Sequence, residues 1–492
     1  MKNVIIRDMS KRKRVSEVCP MPSVLVSLVP VAALVTMLAF CVFTFGTDTL
    51  SGASQLSLLA SSGIAAAIGV WRYKLKWEYI ERSFVDSVGE VMPSVLILLV
   101  IGALSGAWMV SGIVPGFIYY GIQIIHPKFF LATACIVCSI VSLMTGSSWT
   151  TIATIGLALI GIGRAQGFDI GVVAGAIISG SYFGDKMSPL SDTTILASSV
   201  TGTPLFRHIR YMTVTTAPAM AITLAVFVVM GLRHDVVSTE YMTMIADSFS
   251  SKFNITPLAF IVPAVTAVLI LFKTPSIVAL FVSTLLGMIF AVMFQGDVLR
   301  EVAAGGSAIK GVVMAVYGKS VLEFPDKIMV ELTKSGGMAG MLDTVWLIIC
   351  AMVFGGIMKA CRMLESITML FVRMIRGRIS RRSSTIASGV FFNTTLADQY
   401  LAIILTGGMY KPVYEDKGYD SRLLSRTTED AVTVTSPLIP WSTCGMTQAT
   451  MLSVPTIVYL PYSFFNILCP LMTFAVAVLG LGIRRTKTVA DE

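Results

Sequence analysis

The sequence is poor in charged residues and in histidine. Only 13% of its 492 residues are Asp, Glu, Lys or Arg, whereas about 25% is usual in a soluble domain. The three histidines and eight scattered cysteines form no pattern with metal-ligand spacing, since Cys135 and Cys138 have no second pair beside them. HExxH and GxSxG motifs are absent as well. We therefore expect neither a metalloenzyme nor an intramembrane hydrolase, and no cofactor.

Apolar residues are abundant and occur in long stretches. They make up 55% of the chain, and the mean hydropathy is +0.80. A spanning helix needs roughly 17–25 apolar residues. Stretches of about that length occupy residues 21–45, 56–71, 91–113, 212–232, 255–272, 276–294, 345–358 and 456–483. The sequence therefore predicts an all-α polytopic membrane protein.

The net charge of +9 does not indicate nucleic acid as a partner, because the basic residues lie beside the apolar stretches, where they set membrane orientation. The clusters lie at 11–14, 72–82, 207–210, 373–382 and 484–487. All five face the cytoplasm if each half of the chain crosses five times. Both termini are then cytoplasmic.

One polar run interrupts the apolar sequence between Val172 and Ala197. It reads Gly184-Asp185-Lys186-Met187-Ser188-Pro189-Leu190-Ser191-Asp192-Thr193-Thr194. A charged side chain at the middle of a bilayer costs roughly 2.5–3.5 kcal/mol on insertion scales. Three charges in one run therefore indicate a functional site.

The chain repeats one plan. Ser188-Pro189-Leu190 recurs as Ser436-Pro437-Leu438, an offset of 248 residues (436 − 188), and the same offset carries the polar stretch 146–151 onto 394–399. Repeats with an odd number of crossings are inverted relative to each other. We predict two inverted repeats of about five transmembrane helices, each with a re-entrant hairpin and a broken helix. The boundaries are 1–20 for an N-terminal tail, 21–232 and 255–483 for the repeats, 233–254 for a connecting loop and 484–492 for a C-terminal tail.

The broken helices are predicted at the prolines, which cannot donate a backbone N–H. Carbonyl groups freed at Pro189 and Pro437 would lie deep in the membrane, where they are tolerated only if they are buried in protein or line a cavity. Together with hydroxyl and carboxylate oxygens they would suit a small cation. The apolar arms around 146–151 and 394–399 are short, as in re-entrant hairpins whose tips meet the broken helices.

Three carboxylates are the leading candidates for binding the cation or the proton. Asp185 and Asp192 flank the first break, although Lys186 could instead neutralise Asp185 in a structural pair. Asp398 is in the second hairpin, where it could instead cap a helix. Glu429 and Asp430 precede the second break, and their role stays open between an ion site and the cytoplasmic end of the helix.

Polar residues beside these carboxylates complete the predicted ion and proton site, although each hydroxyl could equally bond to a helix carbonyl. They are Ser147, Ser148, Thr150, Ser188, Thr193, Asn393, Thr394, Thr395, Ser436 and Thr443. We place Na⁺ most specifically at Asp185, Asp192 and Ser188. Trp149 and Trp441 lie within the polar clusters and either line a substrate cavity or pack.

These motifs resemble the NhaC family of bacterial Na⁺/H⁺ antiporters. The run 181–194 is similar to the signature of that family along its whole length, and the blocks 145–151, 397–401 and 436–445 are similar to its other motifs. The resemblance covers roughly residues 20–480. It implies inverted repeats, alternating access and a homodimer in the bacterial inner membrane.

The function implied by the resemblance is secondary active exchange of cytoplasmic Na⁺ for external H⁺. The alternative is Na⁺- or H⁺-coupled transport of a small organic anion, of the malate or lactate type, or of an amino acid. Two departures keep that alternative open, because Ile195 and Ser442 stand where the family pattern has Asn, a potential ligand.

Overall fold

The computed structural model describes residues 20–45, 52–234, 239–272, 274–324, 326–373 and 378–479. Most of the predicted N-terminal tail and all of the C-terminal tail lie outside these ranges, together with the basic clusters 11–14 and 484–487. Where the chain is described, regular structure is helical apart from one isolated bridge between Ser320 and Ser335. The predicted all-α class is confirmed.

The first half, to residue 234, begins with four helices that are followed by a hairpin and a broken helix. The helices are α1 (Val24–Phe45), α2 (Ala53–Ala67), α3 (Trp77–Val110), α4 (Ile113–Ile124), α5 (Phe130–Thr145), α6 (Ser148–Thr151), α7 (Leu157–Ala165), α8 (Ile170–Met187), α9 (Asp192–Thr201) and α10 (Leu205–Leu232). A π turn, Ile152–Gly156, joins α6 to α7.

The middle of the chain contains shorter helices. They are α11 (Thr239–Lys252), α12 (Ile261–Leu271), α13 (Ser276–Phe294), α14 (Gly296–Val302), α15 (Ala308–Tyr317) and α16 (Lys327–Thr333). Helix α11 occupies most of the segment 233–254 that the sequence analysis assigned to a connecting loop.

The second half returns to long helices. They are α17 (Leu342–Ala360), α18 (Met363–Arg373), α19 (Arg378–Leu396), α20 (Gln399–Glu415), α21 (Ser421–Ala431), α22 (Thr443–Leu452), α23 (Thr456–Tyr459) and α24 (Phe464–Leu479). By length and composition, seven helices of the described ranges could cross a membrane, or up to nine if two bent pairs each form one span. The chain is therefore a multi-pass membrane protein.

Each half contains a helical hairpin with a two-residue tip. Gly146 (φ 67°) and Ser147 separate α5 from α6, and Ala397 (φ 56°) and Asp398 separate α19 from α20. The second tip is therefore three residues beyond Thr394, where the sequence alignment placed it. Thr394 and Thr395 lie instead in the last turn of α19.

Each half also contains the predicted interrupted helix, although the two interruptions differ in length. Helix α8 ends at Met187, as expected two residues before a proline, and α9 begins at Asp192. Helix α21 ends at Ala431, six residues before Pro437, and α22 begins at Thr443. The second unwound segment is longer because its turn begins well before the proline.

Turn and cap residues recur at a constant spacing of 251 residues (453 − 202). Left-handed backbone is found at Gly146, Gly167 and Gly202, and again at Ala397, Gly418 and Ser453. The N-cap residues Asp169, Ser191 and Pro204 correspond in the same way to Asp420, Ser442 and Pro455. The Ser-Pro-Leu motifs are only 248 residues apart because the second unwound segment is the longer one.

Close packing of α8 on α5 holds the first broken helix against the first hairpin. A Cβ atom built on Gly180 would lie 2.1 Å from the carbonyl oxygen of Cys135, and one on Gly184 would lie 2.3 Å from that of Ser139. Small residues allow membrane helices to approach this closely. The two glycines therefore determine how near Asp185 comes to the hairpin tip.

We predict that Gly180→Ala will lower the melting temperature of the purified protein in detergent. The added methyl group forces α8 away from α5, and overpacking of this kind costs about 1–3 kcal/mol. The matched control is Gly89→Ala in α3, where a Cβ atom meets nothing within 4 Å and the gain in helix propensity is favourable. Equal melting temperatures for the two variants would contradict the prediction.

Candidate ion-binding site

Asp185, in the broken helix α8, contacts the tip of the first hairpin. Its Oδ2 accepts hydrogen bonds from the backbone N–H of Ser148 (3.1 Å) and from the Ser148 hydroxyl (2.7 Å). The side chain belongs to the last turn of α8 and is buried. The structure thus brings together two residues that the sequence analysis selected separately.

Asp192 is the first residue of α9, after the N-cap Ser191, whose hydroxyl accepts the N–H of Thr194 at 3.4 Å. Its side chain is exposed, in contrast to that of Asp185. The two carboxylates are near enough for electrostatic repulsion. The unwound segment therefore places one buried and one accessible acid side by side.

Asp398 caps the helix that follows the second hairpin tip. Its Oδ1 accepts the N–H of Leu401 at 2.9 Å, and its side chain is buried beside Thr443. The N–H of Thr443, the first residue of α22, donates to the carbonyl of Ala397 at 2.7 Å. The capping interpretation describes this geometry correctly, and a role in ion binding stays a prediction.

The carboxylates of the two halves converge on one region. Tyr400, at the start of α20, lies within electrostatic range of Asp185, Asp192 and Asp398. A second link joins α8 to α22, where Gln448 Nε2 donates to the hydroxyl of Tyr182 at 3.1 Å. The hairpin tips and the broken helices therefore meet at a single buried centre.

Two predicted ligands of the first half support the backbone. Ser147 Oγ caps α6 by accepting the N–H of Thr150 (3.2 Å) and also accepts the Thr150 hydroxyl (3.0 Å). Ser188 Oγ donates to the carbonyl of Leu143 at 2.8 Å. The residue that contacts Asp185 is thus Ser148, whereas the sequence analysis placed Ser188 with Asp185 and Asp192 at the Na⁺ site.

The predicted ligands of the second half differ in their hydrogen bonding. Thr394 Oγ1 donates to the carbonyl of Val390 at 2.8 Å, which is the local alternative considered above. Thr395 is buried in the same helix turn. Ser436 differs, because its buried Oγ has no hydrogen-bond partner among the residues that the structure describes.

The carbonyl groups freed in the second unwound segment are bonded to side chains. Asn393 Nδ2 donates to the carbonyl of Val432 (2.8 Å) and Asn466 Nδ2 to that of Val434 (2.8 Å). The carbonyl groups of Ser436 and Pro437 accept the hydroxyls of Ser442 (2.6 Å) and Tyr459 (2.7 Å). Asn393, a predicted ligand, thus directs its amide group to the backbone. Each of these carbonyl groups therefore already accepts a hydrogen bond from a side chain, whereas the sequence analysis expected them to bind a cation.

Lys186 forms an ion pair with Asp430, and both side chains are completely buried. The alternative in which Lys186 neutralises Asp185 is therefore wrong. Asp430 also accepts hydrogen bonds from Thr215 (2.9 Å) and Thr473. The pair joins the broken helix of one half to that of the other across 244 residues of sequence.

Glu429 is buried beside this pair and accepts the hydroxyl of Thr193 at 3.2 Å. Thr193, a predicted ligand from the first half, thus contacts an acid of the second half. From sequence alone the role of Glu429 and Asp430 stays open, because their position before the break also fits the end of a helix. The sequence signal that could have identified them is the presence of two adjacent acids in the second broken helix and of a single lysine in the first.

We predict that Lys186→Met and Asp430→Asn will each destabilise the protein by about 3–5 kcal/mol, because each leaves the opposite charge buried without its partner. The double variant Lys186→Met with Asp430→Asn should lose less stability than the two single variants together. Thermal unfolding in detergent measures all three. Arg300→Met, which breaks an exposed pair with Asp297, is the control and should have little effect. Additive losses would show that the pair is not coupled.

Comparison with known proteins places the chain in a family. A model of the Na⁺/H⁺ antiporter family matches residues 180–481. The chain is 34% identical to the Na⁺/H⁺ antiporter NhaC of Alkalihalophilus pseudofirmus, over 87% of its own length and 91% of the relative. It is 32% identical to NhaC of Bacillus subtilis (86% and 91%) and 35% identical to the malate-2H⁺/Na⁺-lactate antiporter of that organism (88% and 91%). The interruptions of both broken helices, the second hairpin and the Lys186–Asp430 pair all lie within the matched region, and the chain belongs to the Na⁺/H⁺ antiporter family.

Proposed function

We propose that this protein exchanges cytoplasmic Na⁺ for external H⁺ across a bacterial inner membrane. The observation that carries the proposal is the buried carboxylate of Asp185, which lies where a broken helix meets the tip of a hairpin. An isolated charge in such a place is expensive unless it binds or releases an ion. Membership of the family, with two relatives named NhaC, supports the same activity.

Competition at one carboxylate couples the two ions. Ionised Asp185 attracts Na⁺, and protonated Asp185 does not, so that the proton and the cation occupy the site in turn. Ser148 presents its hydroxyl to the same oxygen and can supply a further oxygen to the cation. Asp192, which is exposed, provides a second negative charge that attracts cations toward the buried acid.

Alternating access requires the site to open to each side of the membrane in turn. We propose that two inverted repeats, 21–232 and 255–483, provide this motion in a homodimer with both termini in the cytoplasm. The recurrence of caps and left-handed residues at 251 residues supports the repeat. Helices α9 and α22 have ten residues each, about 15 Å, which is half of the roughly 30 Å hydrocarbon thickness. That length supports a break near the midplane.

Transport of an organic substrate is the second candidate. It is favoured by two relatives, the malate-2H⁺/Na⁺-lactate antiporter at 35% identity and an arginine/ornithine antiporter of Halobacterium salinarum at 29% identity over 93% of this chain. Uptake of labelled malate, lactate and arginine into proteoliposomes, with and without a Na⁺ gradient, separates this candidate from simple cation exchange.

We predict that Asp185→Asn will abolish or severely reduce exchange in proteoliposomes, with an apparent Na⁺ affinity at least about tenfold weaker, which is about 1.4 kcal/mol of lost binding. Asp192→Asn should have a smaller effect, because its exposed charge is screened by water and salt. Release of ²²Na⁺ and a pH-sensitive dye measure the two ion flows.

The control for both variants is Asp297→Asn, which removes an acid whose side chain is 97% exposed and far in sequence from either break. It should exchange like the wild type. Unchanged exchange by both Asp185→Asn and Asp192→Asn would eliminate the proposed mechanism.

A further inference from the structure

Glu429 and Asp430 are adjacent, completely buried acids at the end of α21, but their hydrogen-bond partners differ. Asp430 is surrounded by donors: the ammonium group of Lys186, the hydroxyls of Thr215 and Thr473, and the thiol of Cys469 at 3.3 Å. Donors around a carboxylate favour its ionised form, which is the form that pairs with Lys186. We therefore assign Asp430 a structural role.

Glu429 has fewer donors around it than Asp430. Thr193 bonds to Oε1, whereas Oε2 is buried and has no hydrogen-bond partner within the described part of the chain. The hydroxyl of Thr433, one turn further along, is close enough to stabilise this carboxylate, although it forms no hydrogen bond of normal geometry within the described residues. A buried carboxylate oxygen that is left unbonded is costly, because it has lost its hydrogen bonds to water. A small ion bound between these two oxygens would satisfy both of them.

The charges around Glu429 come from several helices. Lys186 and Asp185 of α8 lie within its electrostatic range, and the charge of Lys186 is matched by Asp430. Arg426, one turn earlier in α21, stacks on the ring of Tyr211 at 4.7 Å. His208 of α10 bonds to Ser425 at 2.8 Å. Glu429 is thus near the proposed Na⁺ carboxylate but on the opposite broken helix.

We propose that Glu429 is a second exchangeable acid of this antiporter, which binds Na⁺ or a proton through Oε2 together with the hydroxyls of Thr193 and Thr433. This inference rests on the proposed function and adds a ligand site from the second half of the chain. Because Asp185 and Glu429 repel each other when both are ionised, loading of one acid changes the affinity of the other. Two coupled acids allow more than one ion to move in each cycle.

The test uses Glu429→Gln in the purified full-length protein. The amide keeps an oxygen for Thr193 but carries no charge. Melting temperatures are measured in NaCl against choline chloride, and across pH. A ligand that binds only the folded state raises the melting temperature with its concentration. We expect Glu429→Gln to need at least tenfold more NaCl for the same rise, or to lose part of the pH dependence of the wild type.

A structural role for Glu429 predicts a different pattern. Glu429→Gln would then melt lower, as Asp430→Asn should, and its response to Na⁺ and to pH would match that of the wild type. That result would overturn the inference. In choline chloride we expect Glu429→Gln to be at least as stable as the wild type, because the substitution removes a buried charge with an unbonded oxygen.

Thr433→Val is the second variant, needed if Glu429→Gln does not fold. It keeps the side-chain shape, removes one proposed ligand and should weaken the Na⁺ response by a smaller factor. An unchanged response in this variant would also count against the site. The melting experiments do not depend on transport, so a wild type that fails to exchange Na⁺ for H⁺ in liposomes would reject the proposed function while leaving the test of Glu429 intact.

Discussion

The arrangement of the candidate ion site depends on one buried ion pair. Lys186 and Asp430 are removed from solvent completely, and each would be costly in a bilayer without the other. Because they belong to the broken helices of different halves, their pairing forces those helices together at the depth of the charges. Thr193 then reaches Glu429, and Tyr400 comes within range of three acids. A pair that contributes little net stability can still determine which surfaces meet.

The unwound backbone imposes the second constraint. Peptide groups that leave a helix inside a membrane need other partners. In the second half these partners are side chains that come from three helices and from the unwound segment itself, including Asn393 of α19 and Asn466 of α24. In the first half the interruption has only four residues, and the hydroxyl of Thr194 satisfies the carbonyl of Lys186 at 3.0 Å. The number of dedicated polar side chains thus follows the length of backbone that is unwound.

Much of this could be predicted from the sequence, because the strongest signals are local. A charged, proline-containing run between apolar stretches indicates a broken helix wherever it lies, and Gly146 followed by Ser147 has the form of a tip with an N-cap. Partners across the two halves could not be predicted. Lys186 has Asp185 beside it in sequence, but its ion pair is with Asp430, 244 residues away. The second tip was misplaced by three residues because identity between the halves is low and the longer unwound segment shifts the Ser-Pro-Leu motif. Asn393 is a predicted ion ligand because sequence alone does not reveal that the carbonyl group of Val432, freed from its helix, lies nearby.

Four helices begin at the meeting point of the hairpin tips and the unwound segments, at the caps Ser147, Ser191, Asp398 and Ser442. The start of a helix carries about half a positive elementary charge from its peptide dipoles. Together the four offset on the order of two negative charges, comparable to the charges of Asp185 and Asp398. The positive ends of these four helices therefore lower the cost of keeping ionised carboxylates in the buried centre.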